Sequence, residues 1–96
     1  MMTISDNNKK FLDGLVEYYI DESKSYKQFA SEYTEFSESE MDVAFGMIVG
    51  TIYATFLQTY ANQELDVGLD DMQEFHEFIK ANATQIKESL EKKESE

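Results

Sequence analysis

The stretch VAFGMIVGTIYATFLQTYA, residues 43 to 61, carries no charge in a chain that is otherwise strongly acidic. Its length and its lack of proline make it a helix, and its apolar character raises the question of what covers it. At 100° per residue, Val43, Met47, Gly50, Ala54, Leu57 and Ala61 form one stripe, while Met41, Phe45, Ile48, Ile52 and Phe56 form a second on the opposite side. A surface helix needs one apolar stripe. A helix with two is buried, shared with another chain, or inserted in a membrane.

The bilayer reading is the least favoured of these. Thr51, Thr55, Gln58 and Thr59 dilute the stretch, and acids flank it on both sides with no lysine or arginine to set a cytoplasmic end. A single-span membrane subunit is therefore kept only as a lower alternative. The simpler expectation is that the neighbouring helices cover one stripe and a second copy of the chain covers the other. This gives a homodimer with Phe45, Gly46, Ile48, Gly50, Ile52, Ala54 and Phe56 at its interface. Gly46, Gly50 and Ala54 form a row of small residues, and mid-helix glycines are unfavourable by about 1 kcal/mol each relative to alanine. Such a row implies close packing, with Tyr or Phe from the first helix lying over the glycines as the expected cover.

Working outward, apolar residues recur before this helix at Leu12, Leu15, Tyr19, Tyr26, Phe29, Tyr33 and Phe36, widened by Phe11, Val16, Tyr18 and Ala30. This spacing predicts one long helix over 7–36, with a break near Ser23 as the alternative. Glu22 interrupts the apolar face and marks that point. Asp6 or Asn7 is the expected cap. Ser37 with Glu40, or Ser39 with Asp42, starts the central helix over 40–62. Residues 64–69 read as a loop. Asp70 is the expected cap of a third helix over 71–90, with Met72, Phe75, Ile79, Ala83, Ile86 and Leu90 on one face. Residues 1–6 are expected to be a flexible lead and 91–96 a charged flexible tail. The fold class is thus all-α: one small up-down bundle of three helices, or four if the first is broken.

The charge bounds the function. Twenty acids face eight basic residues, giving a net charge of −12, and no base lies between Lys27 and Lys80. Such a surface repels nucleic acid and anionic membranes and attracts basic proteins. The acids fall in two groups: Glu32, Glu35, Glu38, Glu40 and Asp42 around the first connector, and Glu64, Asp66, Asp70, Asp71, Glu74 and Glu77 around the second. Favourable acids in helix first turns account for several of these, but not for Glu32 and Glu35 near a helix C-terminus.

Catalytic chemistry finds no support. The only histidine, His76, lacks a nucleophile partner and reads as a boundary residue. The Glu-x-x-His spacing of a carboxylate metal site fails because Gln73 stands three residues before His76. The acids from Asp66 to Asp71 do not have calcium-loop spacing. There is no cysteine, which removes disulfides and thiolate metal sites. MMTISDNNKKF carries no apolar segment behind its lysines, so no secretory signal is expected and a cytoplasmic protein is. No cofactor, metal or catalytic residue is expected. The function expected is a non-enzymatic acidic protein-binding module, an adaptor or inhibitor with a basic protein partner. The alternative is an acidic decoy that mimics nucleic acid and blocks a DNA- or RNA-binding protein.

Overall fold

The structure is a computed structural model that describes residues 3–91. The protein is all-helical. Four helices, α1 (Asp6–Asp21), α2 (Ser23–Ala30), α3 (Glu40–Asn62) and α4 (Leu69–Glu91), are joined by short connectors, with a 3-10 turn at Ser31–Tyr33 following α2. Among the described residues there is no strand.

The long first helix expected over 7–36 is broken at Glu22, the residue that interrupts its apolar face, and ends at Ala30. The polar run around the break has a packing reason. Ser23 is buried, and its hydroxyl donates to the Ser89 carbonyl of α4 at 3.2 Å. A small hydroxyl side chain lets α4 come close and satisfies a carbonyl near its end. Ring contacts stitch the break. Tyr18 meets Tyr19 edge-to-face at 5.0 Å, Tyr19 meets Tyr26 at 5.6 Å, and Tyr26 meets Phe29 at 5.6 Å. Each such pair contributes about 0.5–1.5 kcal/mol beyond its buried area. Burial and the neighbouring Tyr26 ring hold the Tyr19 hydroxyl above its ordinary pKa of 10.0.

The expected row is buried only in part: Leu12 is in the core and Leu15, Tyr19 and Tyr26 pack half-buried against it, but Phe29, Tyr33 and Phe36 do not. Leu12, Val16 and Ala30 are sealed, while Tyr18, Phe29, Tyr33 and Phe36 stand exposed. The two candidate rows lie side by side on the helix, and periodicity alone does not say which of them the other helices reach.

Residues 3–5 are not a free lead. Ile4 lies in the core at 4% exposure, and the Glu74 carboxylate accepts from the Thr3 and Ile4 amides. Ser5, rather than Asp6 or Asn7, caps α1 by accepting from the Asn8 amide at 3.2 Å. The side-chain amides of Asn8 and Gln63 bond reciprocally at 3.2 and 2.9 Å, which ties the start of α1 to the end of α3. Ser39 caps α3 through the Asp42 amide at 3.1 Å. Helix α4 begins at Leu69, so Asp70 sits in its first turn rather than at its cap. There it still complements the helix dipole. Of the tail expected over 91–96, Glu91 ends α4 and the rest lies outside the described residues.

The core is one cluster to which all four helices contribute. Phe56 stacks on Phe75 at 4.6 Å and meets Tyr60 at 4.9 Å. Helix α3 supplies Ala44, Ile48, Ile52, Phe56 and Tyr60, an unbroken i+4 row. Burial, together with the Asp71 carboxylate that accepts its hydrogen bond, pushes the Tyr60 hydroxyl up to about 12. Helix α3 is long and apolar enough to cross a bilayer, with a mean hydropathy of 1.3 over its most apolar window. Only 22% of that window is buried, since one face of the helix packs on the core and the opposite face stays open.

The end of α3 carries local strain. Glu64 has φ 58°, the left-handed region that disfavours side chains. The Glu64 amide donates to Ala61 O at 3.0 Å and the Leu65 amide to Tyr60 O at 2.9 Å, the two bonds of a Schellman motif. Glycine is the residue such a position favours, and a carboxylate beside a helix C-terminus is unfavourable. Glu64→Gly is therefore expected to raise stability by about 1 kcal/mol in urea unfolding. A loss of stability on this substitution would show that the Glu64 side chain makes a compensating contact.

Candidate partner groove

The α3 face opposite the core row is open. Asp42, Gly46, Gly50, Ala54 and Gln58 recur every fourth residue and are all exposed. No atom comes within 4 Å of a Cβ built at Gly46 or Gly50. The expected cover by an aromatic ring of the first helix is therefore absent. Within the chain nothing offsets the roughly 1 kcal/mol that each glycine forfeits against alanine. Gly46→Ala and Gly50→Ala are each expected to stabilise the isolated protein by about that amount in chemical denaturation. Destabilisation by either would place a tight contact over the glycine.

Beside this face, α2 and the 3-10 turn raise a wall of aromatic rings. Tyr26, Phe29 and Tyr33 stand on one side; Gly46, Met47, Gly50 and Ala54 form the floor; Thr51, Thr55 and Gln58 complete it. Together they enclose an open groove of about 810 Å³. Phe29 and Tyr33 are 53% and 48% exposed, too much for core residues of this size. The ring ladder from Tyr18 to Phe29 fixes the position of the wall.

Three polar side chains of the groove are engaged within α3. Thr51 donates to Met47 O at 2.8 Å and Thr55 to Thr51 O at 2.9 Å, each back-bonding along its own helix. Gln58 donates its amide to Asn62 Oδ1 at 2.9 Å. The lining is mainly apolar, with the Tyr26 and Tyr33 hydroxyls, Gln58 and one charged residue, Glu32, among it. No lysine lines the groove. Next along the chain, Glu35, Glu38 and Glu40 line a second hollow of about 670 Å³ together with Phe36, which is 80% exposed.

The structure divides the residues expected at a dimer interface. Ile48, Ile52 and Phe56 face the chain's own core at 0–1% exposure. Phe45 is half-buried, with the Lys87 ammonium 5.3 Å above its ring. Gly46, Gly50 and Ala54 remain on the open face.

The eleven acids are divided too. Asp42 pairs with Lys87 at 3.4 Å, Asp71 accepts from Tyr60, and Glu74 holds the N-terminal residues. Glu64 sits in the strained turn. Asp66 is exposed just before α4 and Asp70 and Glu77 in its first half, while Glu32 lines the groove and Glu35, Glu38 and Glu40 are exposed along the second hollow. Of the acids grouped around the first connector, Glu32 lines the aromatic groove and Glu35, Glu38 and Glu40 line the second hollow; that the group meets an aromatic groove is what sequence spacing did not reveal. The exposed aromatics Phe29, Tyr33 and Phe36 next to Glu32 and Glu35 were the available signal.

His76 packs its ring against Tyr53 at 6.3 Å and Phe75 at 5.5 Å. Among the described residues no group of three His, Cys, Asp or Glu side chains is placed to hold a metal ion. Comparison with known proteins yields no relative: no family model, curated protein or solved structure matches the chain.

Proposed function

We propose that the protein is a non-enzymatic binding module, an adaptor or inhibitor that receives a partner protein in the groove between α2 and α3. The observation that carries this is the groove itself: about 810 Å³, walled by half-exposed aromatic rings and floored by glycines that no atom of the chain covers. Apolar surface of this kind, rimmed by charge, marks interaction sites on soluble proteins. The up-down order of the helices underlies this arrangement. It is supported by the Asn8–Gln63, Thr3–Glu74, Ser23–Ser89 and Asp42–Lys87 contacts, each of which joins the chain ends that such an order brings together.

A second copy of the chain is another occupant of this face. It would bring an identical acidic rim, and like charges would then meet across the contact. The decoy reading requires a continuous row of free carboxylates. Several of the acids are instead bonded within the chain.

The proposal is tested by affinity capture from the native host with the wild-type chain and with Gly50→Leu. A Cβ at this exposed position meets nothing within 4 Å, and leucine is a better helix former than glycine, so the variant is expected to keep its helical content and to melt no lower than the wild type while filling the groove. The expected result is a specific protein recovered by the wild type and lost with Gly50→Leu. Equal recovery by both would place the binding surface elsewhere.

A further inference from the structure

We infer that the occupant of the groove is a cationic amphipathic α-helix, with its apolar face on Gly46, Gly50 and Ala54 and its lysine or arginine flank against the acids at the groove end. The inference rests on the groove being the partner face and deepens it by naming the class of partner.

Three features define the occupant. The first is shape. From Gly46 to Gln58 the floor runs twelve residues of α3, about 18 Å at 1.5 Å per residue. That matches about three turns of a docked helix. The small residues Gly46, Gly50 and Ala54 in the floor let a second helix backbone approach closely, and Phe29 and Tyr33 can then pack along its flank.

The second is hydrogen bonding. The Thr51, Thr55 and Gln58 donors are all engaged within α3. A sugar, nucleotide or extended peptide needs exposed donors and acceptors to satisfy its own polar groups. An α-helix bonds its own backbone internally and presents only side chains. It is the polypeptide element best suited to a groove that offers apolar surface and few free polar groups.

The third is charge. Glu32 lies in the lining, and Glu35 and Glu38 follow it along the chain; Lys27 shares a further hollow with Glu40 and Lys87 pairs with Asp42, so Glu32, Glu35 and Glu38 carry the negative charge here. The net charge of −12 adds a long-range field of the same sign. A docked helix with acidic flanks meets repulsion there, whereas lysine or arginine flanks are attracted.

The probes are two labelled helical peptides of about sixteen residues with the same leucine and alanine face, one with lysine flanks and one with glutamate flanks, titrated against the full chain by fluorescence anisotropy. The lysine peptide is expected to bind at least about tenfold more tightly than the glutamate peptide, with the gap shrinking between about 50 and about 300 mM salt. Gly50→Leu should weaken the lysine peptide by about tenfold or more, and Glu32→Lys with Glu35→Lys should narrow the preference. Equal binding of the two peptides, no binding of either, or binding unaffected by Gly50→Leu would overturn the inference. So would a dimer in sedimentation that Gly50→Leu dissociates, since that places a second copy in the groove. Host capture abolished by Gly50→Leu while the lysine peptide fails to bind removes only the cationic helix. Capture indifferent to Gly50→Leu removes the groove itself.

Discussion

Phe56→Ala is expected to destabilise the protein by about 3–5 kcal/mol, the largest effect of any single side-chain truncation considered. Phe56 is 1% exposed, and its ring is held between Phe75 at 4.6 Å and Tyr60 at 4.9 Å. Truncation removes both ring contacts and leaves a cavity at the junction of α3 and α4. A chain of 96 residues has a total stability of roughly 5–15 kcal/mol, so the variant keeps only a fraction of it. The corresponding fall in Tm is on the order of 15–30 °C. Thermal melts by circular dichroism, run at two protein concentrations well apart, measure it. Because Phe56 faces its own chain, the loss should be the same at both. A loss below about 1 kcal/mol, or one that disappears at high concentration, would mean that the row is completed by another molecule.

The second large effect belongs to Glu74. Its Oε1 accepts from the Thr3 amide, from the Thr3 hydroxyl at 3.2 Å and from the Ile4 amide at 3.1 Å. These bonds hold Ile4 in the core. Burial by itself pushes the carboxyl up, but the hydrogen bonds from Thr3 and Ile4, aided by the Lys9 charge, outweigh it and set the group below its ordinary value of 4.5. A carboxyl depressed on folding contributes stability that is full above the unfolded value and is lost as pH falls through the folded one. Glu74→Ala at neutral pH is expected to cost about 2–3 kcal/mol, since two amides lose a charged acceptor. Glu74→Gln should cost about 1 kcal/mol, because it keeps an acceptor without the charge. Unfolding free energies from pH 7 down to pH 3 provide the check: the difference between wild type and Glu74→Gln should close below about pH 4.5. Parallel curves over the whole range would mean that the carboxylate charge does not hold the N-terminal residues. Faster hydrogen exchange at the Thr3 and Ile4 amides of Glu74→Ala is the matching local sign.

Both side chains show how far a sequence carries. Phe56 stands in an apolar row whose period announces a helix and a buried face. Glu74 stands among acids that helix dipoles and solubility already account for, and nothing near it in sequence points to residues 3 and 4. Its partners lie some seventy residues away. Hydrogen bonds of that separation exist only after the helices have packed.

The groove follows the same logic. Its parts were visible separately: the small-residue row of Gly46, Gly50 and Ala54, the aromatics of the first helical segment, and the acids from Glu32 onward. Adjacent rows on one helix are equally apolar by period, and only packing selects between them. Packing sealed Leu12, Val16 and Ala30 and left Phe29 and Tyr33 outside. It also turned Ile48, Ile52 and Phe56 inward and the glycine row outward, so a helix with two apolar faces buries one and offers the other.

By itself the sequence determined the helical class, the span of the central helix, the choice of Ser37 or Ser39 as its cap and the one-signed middle of the chain. These depend on interactions within a turn or two, which composition and period encode directly. The tertiary structure alone decided the break at Glu22, the burial of Ile4 beneath Glu74, and the meeting of the aromatic wall with a bare glycine floor. Those depend on which surfaces arrive together once the chain closes, and the physical reason is that apolar burial is non-directional. Periodicity shows how much surface must be covered; only the packed geometry shows which of it is left open.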